Sequence, residues 1–149
     1  MNVDRHPVRA PLTLPLPFEC LPPAHDTDLT GLRAALAADE FTGREPVLFY
    51  IARIQRHDDV LASVIELDPD ALVEADRLDA LHAAGQDEGR LHGLPVLLKD
   101  NIATGDRLRN TAGAAVLADH VPPHGAFLGD RLRPAGALVL GNWSVWSAA

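Results

Sequence analysis

Two short, wholly apolar runs constrain this chain more than any other feature: Leu94-Pro95-Val96-Leu97-Leu98 and Ala137-Leu138-Val139-Leu140. Each has the length of a buried strand and is too short for a buried helix. The chain between them is long enough for a helical, right-handed parallel crossover. A parallel sheet needs helices on both faces and further strands at its sides. Only Asn142 to Ala149 follow the second run, so unpaired edges are expected, and the pattern reads as the front part of a larger α/β unit.

The other elements fit that class. Leu29, Leu32, Ala35 and Leu36 predict a short amphipathic helix. Thr42 and Glu45 have capping-box spacing, opening a second helix whose stripe is Val47, Tyr50, Ile51 and Ile54 and which ends near His57. A strand is expected over Leu61 to Leu67. Asp68 is placed as the cap of a third helix, with Pro69 at its first position, the stripe Leu72, Ala75, Leu78 and Leu81, and Gly85 beyond its end. Gln86 to Arg90 read as a polar turn. Further helices are expected over about 112–117 and 126–133, with Pro134 in the last turn of the second. Prolines at 7, 11, 15, 17, 22 and 23 make residues 1–27 an irregular lead-in, leaving 28–149 as the domain.

Charge excludes several roles. Acidic residues number 21 against 13 basic ones, a formal charge of -8 without a basic cluster, which argues against nucleic-acid or anionic-membrane partners. No apolar run approaches the roughly 20 residues of a membrane span. The early prolines interrupt any signal-peptide core, and the lone Cys20 forms no internal disulfide, so the expected compartment is the cytoplasm.

Lys99 is the leading chemical candidate, because it follows a buried strand at its carboxyl end, where open α/β sheets place ligand crevices. A lysine desolvated there would be tuned toward proton transfer. The structural alternative is a lysine paired with Asp100 or Asp106. His120 and His124 are four apart, but Pro122 and Pro123 between them argue against a chelating helix. His57, Asp58 and Asp59 read as a solvated turn, His82 as a surface residue, and His92 as the residue fixing the turn before Gly93. Gly113 and Gly136 lack phosphate-loop spacing, so nucleotide binding has no support.

The stretch HGLPVLLKDNIATGD at 92–106, then Thr111, Ala112 and Gly113, then RLRPAGALVLG at 131–141, resembles the amidase-signature family, in particular its bacterial peptide-amidase-like members. LDPDA at 67–71 and ARI at 52–54 match the usual lead-in, so the likeness runs over about 28–146. It implies an α/β fold with a mixed sheet core flanked by helices, of which this chain holds the N-terminal portion. It also implies hydrolysis of carboxamide C–N bonds by a Ser/cis-Ser/Lys triad, with no metal or organic cofactor. Lys99 matches the family lysine; Asp100, Asn101, Thr111 and Gly113 match its site-shaping neighbours.

The glycine- and serine-rich segment that carries both triad serines is not matched. Ser63, Ser144 and Ser147 lie in no glycine-rich loop and are not read as nucleophiles. Ala114 stands where the family has a serine, and Gly141-Asn142 omits two residues of the family's Gly-Lys-Thr-Asn. The expectation is a truncated amidase that is inactive alone. The alternatives are half of a split amidase completed by a second polypeptide, or a non-catalytic interaction module. The expected partners are a small amide or peptide-amide substrate once completed, a complementing chain, or self-association through exposed strand edges.

Overall fold

The computed structural model describes residues 28–144, so the Pro-rich lead-in lies outside the described residues. Its elements are α1 (Leu29–Ala37), α2 (Arg44–Leu61), β1 (Val64–Leu67), α3 (Ala71–Ala83), β2 (Pro95–Lys99), α4 (Phe127–Leu132) and β3 (Leu138–Trp143). Short 3-10 turns occupy Ala115–Leu117 and Arg133–Ala135. The two apolar runs pair in parallel as β2 and β3, as the crossover reading requires. β1 joins the other side of β3 antiparallel, giving a mixed sheet of order β1-β3-β2.

β3 is buried from Leu138 to Asn142. Leu138 and Leu140 pack on Val47 and Ile51 of α2 and on Ala71, Ala75 and Leu78 of α3. Val139 joins Leu98 and Leu108 in a second cluster, against which Leu132 and Ile102 rest. A third cluster seats Leu32 and Leu36 of α1 on Phe49 and Leu94. The strand runs past its expected end at Leu140 because Gly141 can lie close to β1: a Cβ there would sit 2.3 Å from Glu66 O. The ladder with β2 shifts register beside that residue, and the ladder with β1 shifts between Val64 and Glu66, opposite Trp143 and Asn142.

Other boundaries move for reasons of capping. α2 continues through His57, Asp58 and Asp59 to Leu61, so that trio is helix and not a turn. The Asp58 carboxylate then accepts from Ser63 N at 2.9 Å, Ser63 Oγ at 2.7 Å and Val64 N at 3.1 Å, which delays the strand to Val64. α3 starts at Ala71, because Asp68 Oδ1 takes Asp70 N at 2.9 Å and makes a turn before the helix, with Pro69 inside the turn. Gly85 closes α3 at φ 69, with Gln86 N–H donating to Leu81 O at 2.9 Å. The helix expected at 112–117 shrinks to its 3-10 turn, since Ala112 and Gly113 have φ of 48 and 76. Pro134 falls within the 3-10 turn after α4 and ends that helix.

At α2 the capping box is half made. Glu45 accepts Thr42 N at 2.7 Å, while Gly43 N and Arg44 N are taken by Asp79 of α3 at 2.6 and 3.1 Å. Beneath the sheet, Arg133 bridges Asp106 and Asp68. Burial pushes the Asp68 carboxyl above its usual range, against the hydrogen bond from Asp70.

Truncating Leu138 to Ala at the sheet centre is expected to cost about 2–5 kcal/mol, read as a lower midpoint in urea unfolding. Asp79→Ala removes a cap supplied from another helix and is expected to cost about 1 kcal/mol by the same measurement.

Candidate active site

β2 ends at Lys99, which pairs in register with Trp143 of β3. Its side chain is exposed, so the desolvated lysine expected from the buried run is not what the described residues build. Both carboxylates offered as its structural partners are engaged elsewhere, Asp106 by Thr104, Leu108 N and Arg133, and Asp100 by the network described next.

Asp100 is 2% exposed, and its own N–H continues the ladder to Trp143 O at 2.9 Å. Its carboxylate accepts from Thr111 N at 3.1 Å, from the Thr111 hydroxyl, and from Asn142 Nδ2 at 3.1 Å. Its carbonyl takes Ala112 N at 3.2 Å. The Thr111 hydroxyl in turn accepts from Gly113 N at 3.1 Å. Asp100, Thr111 and Gly113 are thus brought together in one knot of bonds. Asn101 is not part of it; it is exposed in the turn that Ile102 N–H closes on Lys99 O at 2.8 Å.

The knot has members that sequence reasoning missed. Asn142 Nδ2 also donates to Arg109 O at 2.8 Å, and Arg109 donates from its N and Nε to Glu66 of β1 at 3.0 and 3.1 Å. The network therefore spans all three strands. Asn142 lies beyond the expected strand end at Leu140, and β3 is buried from Leu138 to Asn142 with no alternation to mark it. Asn142 Oδ1 is buried without a hydrogen-bond partner among the described residues. A rigid, charge-assisted hub of this kind holds the end of β2, and with it the Lys99 backbone, in one geometry.

Among the described residues, Ser63 and Ser144 make hydrogen bonds at β1 and its flanks. The Ser63 hydroxyl donates to Asp58, and Ser144, the residue after the Trp143 that pairs with Lys99, donates its N–H to Ser63 O at 2.9 Å. Ser147 lies outside the described residues. His92 fixes its turn as expected: Nδ1 accepts Glu88 N at 3.1 Å, which leaves the proton on Nε2 to donate to Leu78 O at 3.0 Å. Donor atoms of His82, Asp87 and His92 lie within 4.8 Å of one another, but with both His92 nitrogens occupied the set is not free to hold a metal. His120 and His124 are exposed and lie on no helix. An apolar cavity of about 660 Å³ opens between α2 and the sheet, lined by Tyr50, Ile54, Val64, Val96, Leu97 and Leu140. No helix among the described residues is long and apolar enough to cross a membrane.

The family model described as Amidase matches residues 45–148. The A-type subunit of glutamyl-tRNA(Gln) amidotransferase from Nitratidesulfovibrio vulgaris is 40% identical over 119 residues, which is 79% of this chain and 24% of that protein. A probable amidase of Arabidopsis thaliana is 35% identical, over 80% of this chain and 24% of its own length. The solved structure of native peptide amidase from Stenotrophomonas maltophilia superposes with a TM-score of 0.77 and 40% identity, covering 86% of this chain and 26% of that one. The chain thus spans about a quarter of the length of the relatives it matches. With the matched region taking in β2, its terminal lysine and the Asp100 knot, the chain belongs to the amidase family.

Proposed function

We propose that this chain is the lysine-bearing portion of an amidase-signature hydrolase acting on small amides or peptide amides, with Lys99 as its general base. The observation that carries the reading is Lys99 at the carboxyl end of β2, its neighbour Asp100 tied by Thr111 and Asn142 within the family-matched region. In the family chemistry a neutral lysine draws a proton, through a bridging serine, from the serine that attacks the carbonyl carbon. The C–N bond breaks as the leaving amine takes up a proton, and water then releases the acyl group from the serine. Asp100, Thr111 and Gly113 hold the turn beside the lysine in this scheme. Both serines and the oxyanion donors come from residues this chain does not match.

The sheet itself is open to the remainder of the amidase fold. Among the described residues β1 and β2 each have only one neighbouring strand, and apolar surface is open beside them at the α2 cavity. That the amidotransferase relatives are named as subunits is consistent with an assembled enzyme. One cysteine in the chain fits a cytoplasmic setting.

Isolated, the chain is expected to show no amide turnover above buffer. Coexpressed with a glycine- and serine-rich amidase remainder it is expected to hydrolyse simple amides, and Lys99→Ala should lower that rate by about 10³-fold or more. Unchanged turnover in Lys99→Ala would remove the assignment. In sedimentation velocity the isolated chain is expected to self-associate through its strand edges; a monomer with a sharp two-state thermal transition would favour an independent binding module.

A further inference from the structure

α1 and α3 end in the same way with one difference. In α3 the left-handed position after the helix is Gly85. In α1 it is Asp39, at φ 55, with Asp39 N–H on Leu36 O at 3.2 Å and Glu40 N–H on Ala35 O at 3.0 Å. A glycine would take that conformation without strain, and Ala62 after α2 shows that another residue can hold it too, so what sets Asp39 apart is where its carboxylate lies. That carboxylate reaches the last turn of α3, where His82 Nε2 lies 3.2 Å from Asp39 Oδ1 while His82 Nδ1 lies 2.7 Å from Asp87 Oδ1.

An imidazole with a carboxylate at each nitrogen can donate to both only as the imidazolium; the neutral ring has one N–H. We propose that His82 is a proton-operated latch, fastening the end of α1 to α3 and to the 84–94 loop when protonated and releasing Asp39 when neutral. The groups around the ring agree. From α1 come Asp39 and Arg33, the latter 2.5 Å from Asp87 Oδ2. From the loop come Asp87 and His92, whose ring centroid is 6.0 Å away and whose nitrogens are spent on backbone. From α3 comes Asp79, one turn back, its oxygens held by Gly43 N and Arg44 N. Arg77 grips Glu88 with two bonds of 2.7 and 2.9 Å, so the loop stays on α3 whatever the state of His82. Arg33 likewise keeps the body of α1 on Asp87 in either state, so the moving part is the chain end around Asp39, beside a cavity of about 190 Å³ lined by Leu36, Asp39, Phe41 and His82.

The hydrogen bond to Asp87 holds the His82 pKa above its ordinary 6.5, and the same bond holds Asp87 below 3.8. The His82 contribution is thus complete below about pH 6.5 and is lost as pH rises through the higher folded value. The Asp87 contribution is present above pH 3.8 and is lost as pH falls through its lowered value. The latch is closed between those limits.

The test uses the whole chain and mass-spectrometric hydrogen exchange, which tolerates self-association: histidine C2–H exchange for the His82 titration, and amide exchange for residues 34–41 corrected for the intrinsic pH dependence. The expected result is a His82 midpoint above 6.5 and a loss of protection at 34–41 across it. Asp39→Asn should lower the midpoint and flatten the change. Asp39→Gly should flatten it too, while raising protection on the alkaline side by relieving the backbone. Equal protection on both sides of the wild-type titration, or a midpoint unmoved in Asp39→Asn, would overturn the latch.

Discussion

Burial of β3 on both faces, with backbone partners of opposite direction on its two sides, is the constraint from which the other elements take their places. Its alternate residues seat α2 and α3 on one face and the Leu98 and Leu108 cluster on the other. A strand in that position cannot carry unpaired polar groups cheaply. The one polar side chain it does bury, Asn142, is bonded to the end of β2 and to the Arg109 loop, so the central strand also organises the polar knot. Packing and candidate chemistry hang on the same short strand.

What was legible in the sequence followed from strong local signals. The apolar runs at 94–98 and 137–140 had the length and content of strands, and Lys99 after the first then stands at a carboxyl end. Gly85 announced a helix terminus that is there. Three of the misplaced boundaries share a cause, an aspartate side chain that takes backbone N–H groups the hydrophobic spacing does not assign to it. Asp58 folds back on Ser63, Asp68 turns the chain before the helix can start, and Asp79 caps a helix from across the core. The mixed sheet that the family resemblance implied is present, although Val64–Leu67 has by itself no feature that selects a direction of pairing.

The candidate site shows the same division. Asp100, Thr111 and Gly113 converge because a tight turn with two left-handed residues brings Thr111 N–H onto the Asp100 carboxylate, Ala112 N–H onto its carbonyl and Gly113 N–H onto the Thr111 hydroxyl. Asn142, Arg109 and Glu66 are far apart in sequence, and only the assembled sheet brings them to the same place. The exposed Lys99 belongs with this observation: its backbone is determined within the chain, while the burial that would tune its amine is not.

The strand order carries a kinetic meaning as well. Among the described residues β1 and β2 are not neighbours; each is bonded to β3, which comes after both in the chain. Neither can begin a sheet with the other, so while the polypeptide emerges from the ribosome they stay as unpaired apolar segments until Leu138–Trp143 has been made. Sheet formation then requires two long-range closures onto one late strand, and slow folding with a long window of exposure follows from connectivity alone. Helices α2 and α3, contiguous in sequence apart from the short β1, are the parts able to form first and shield those segments.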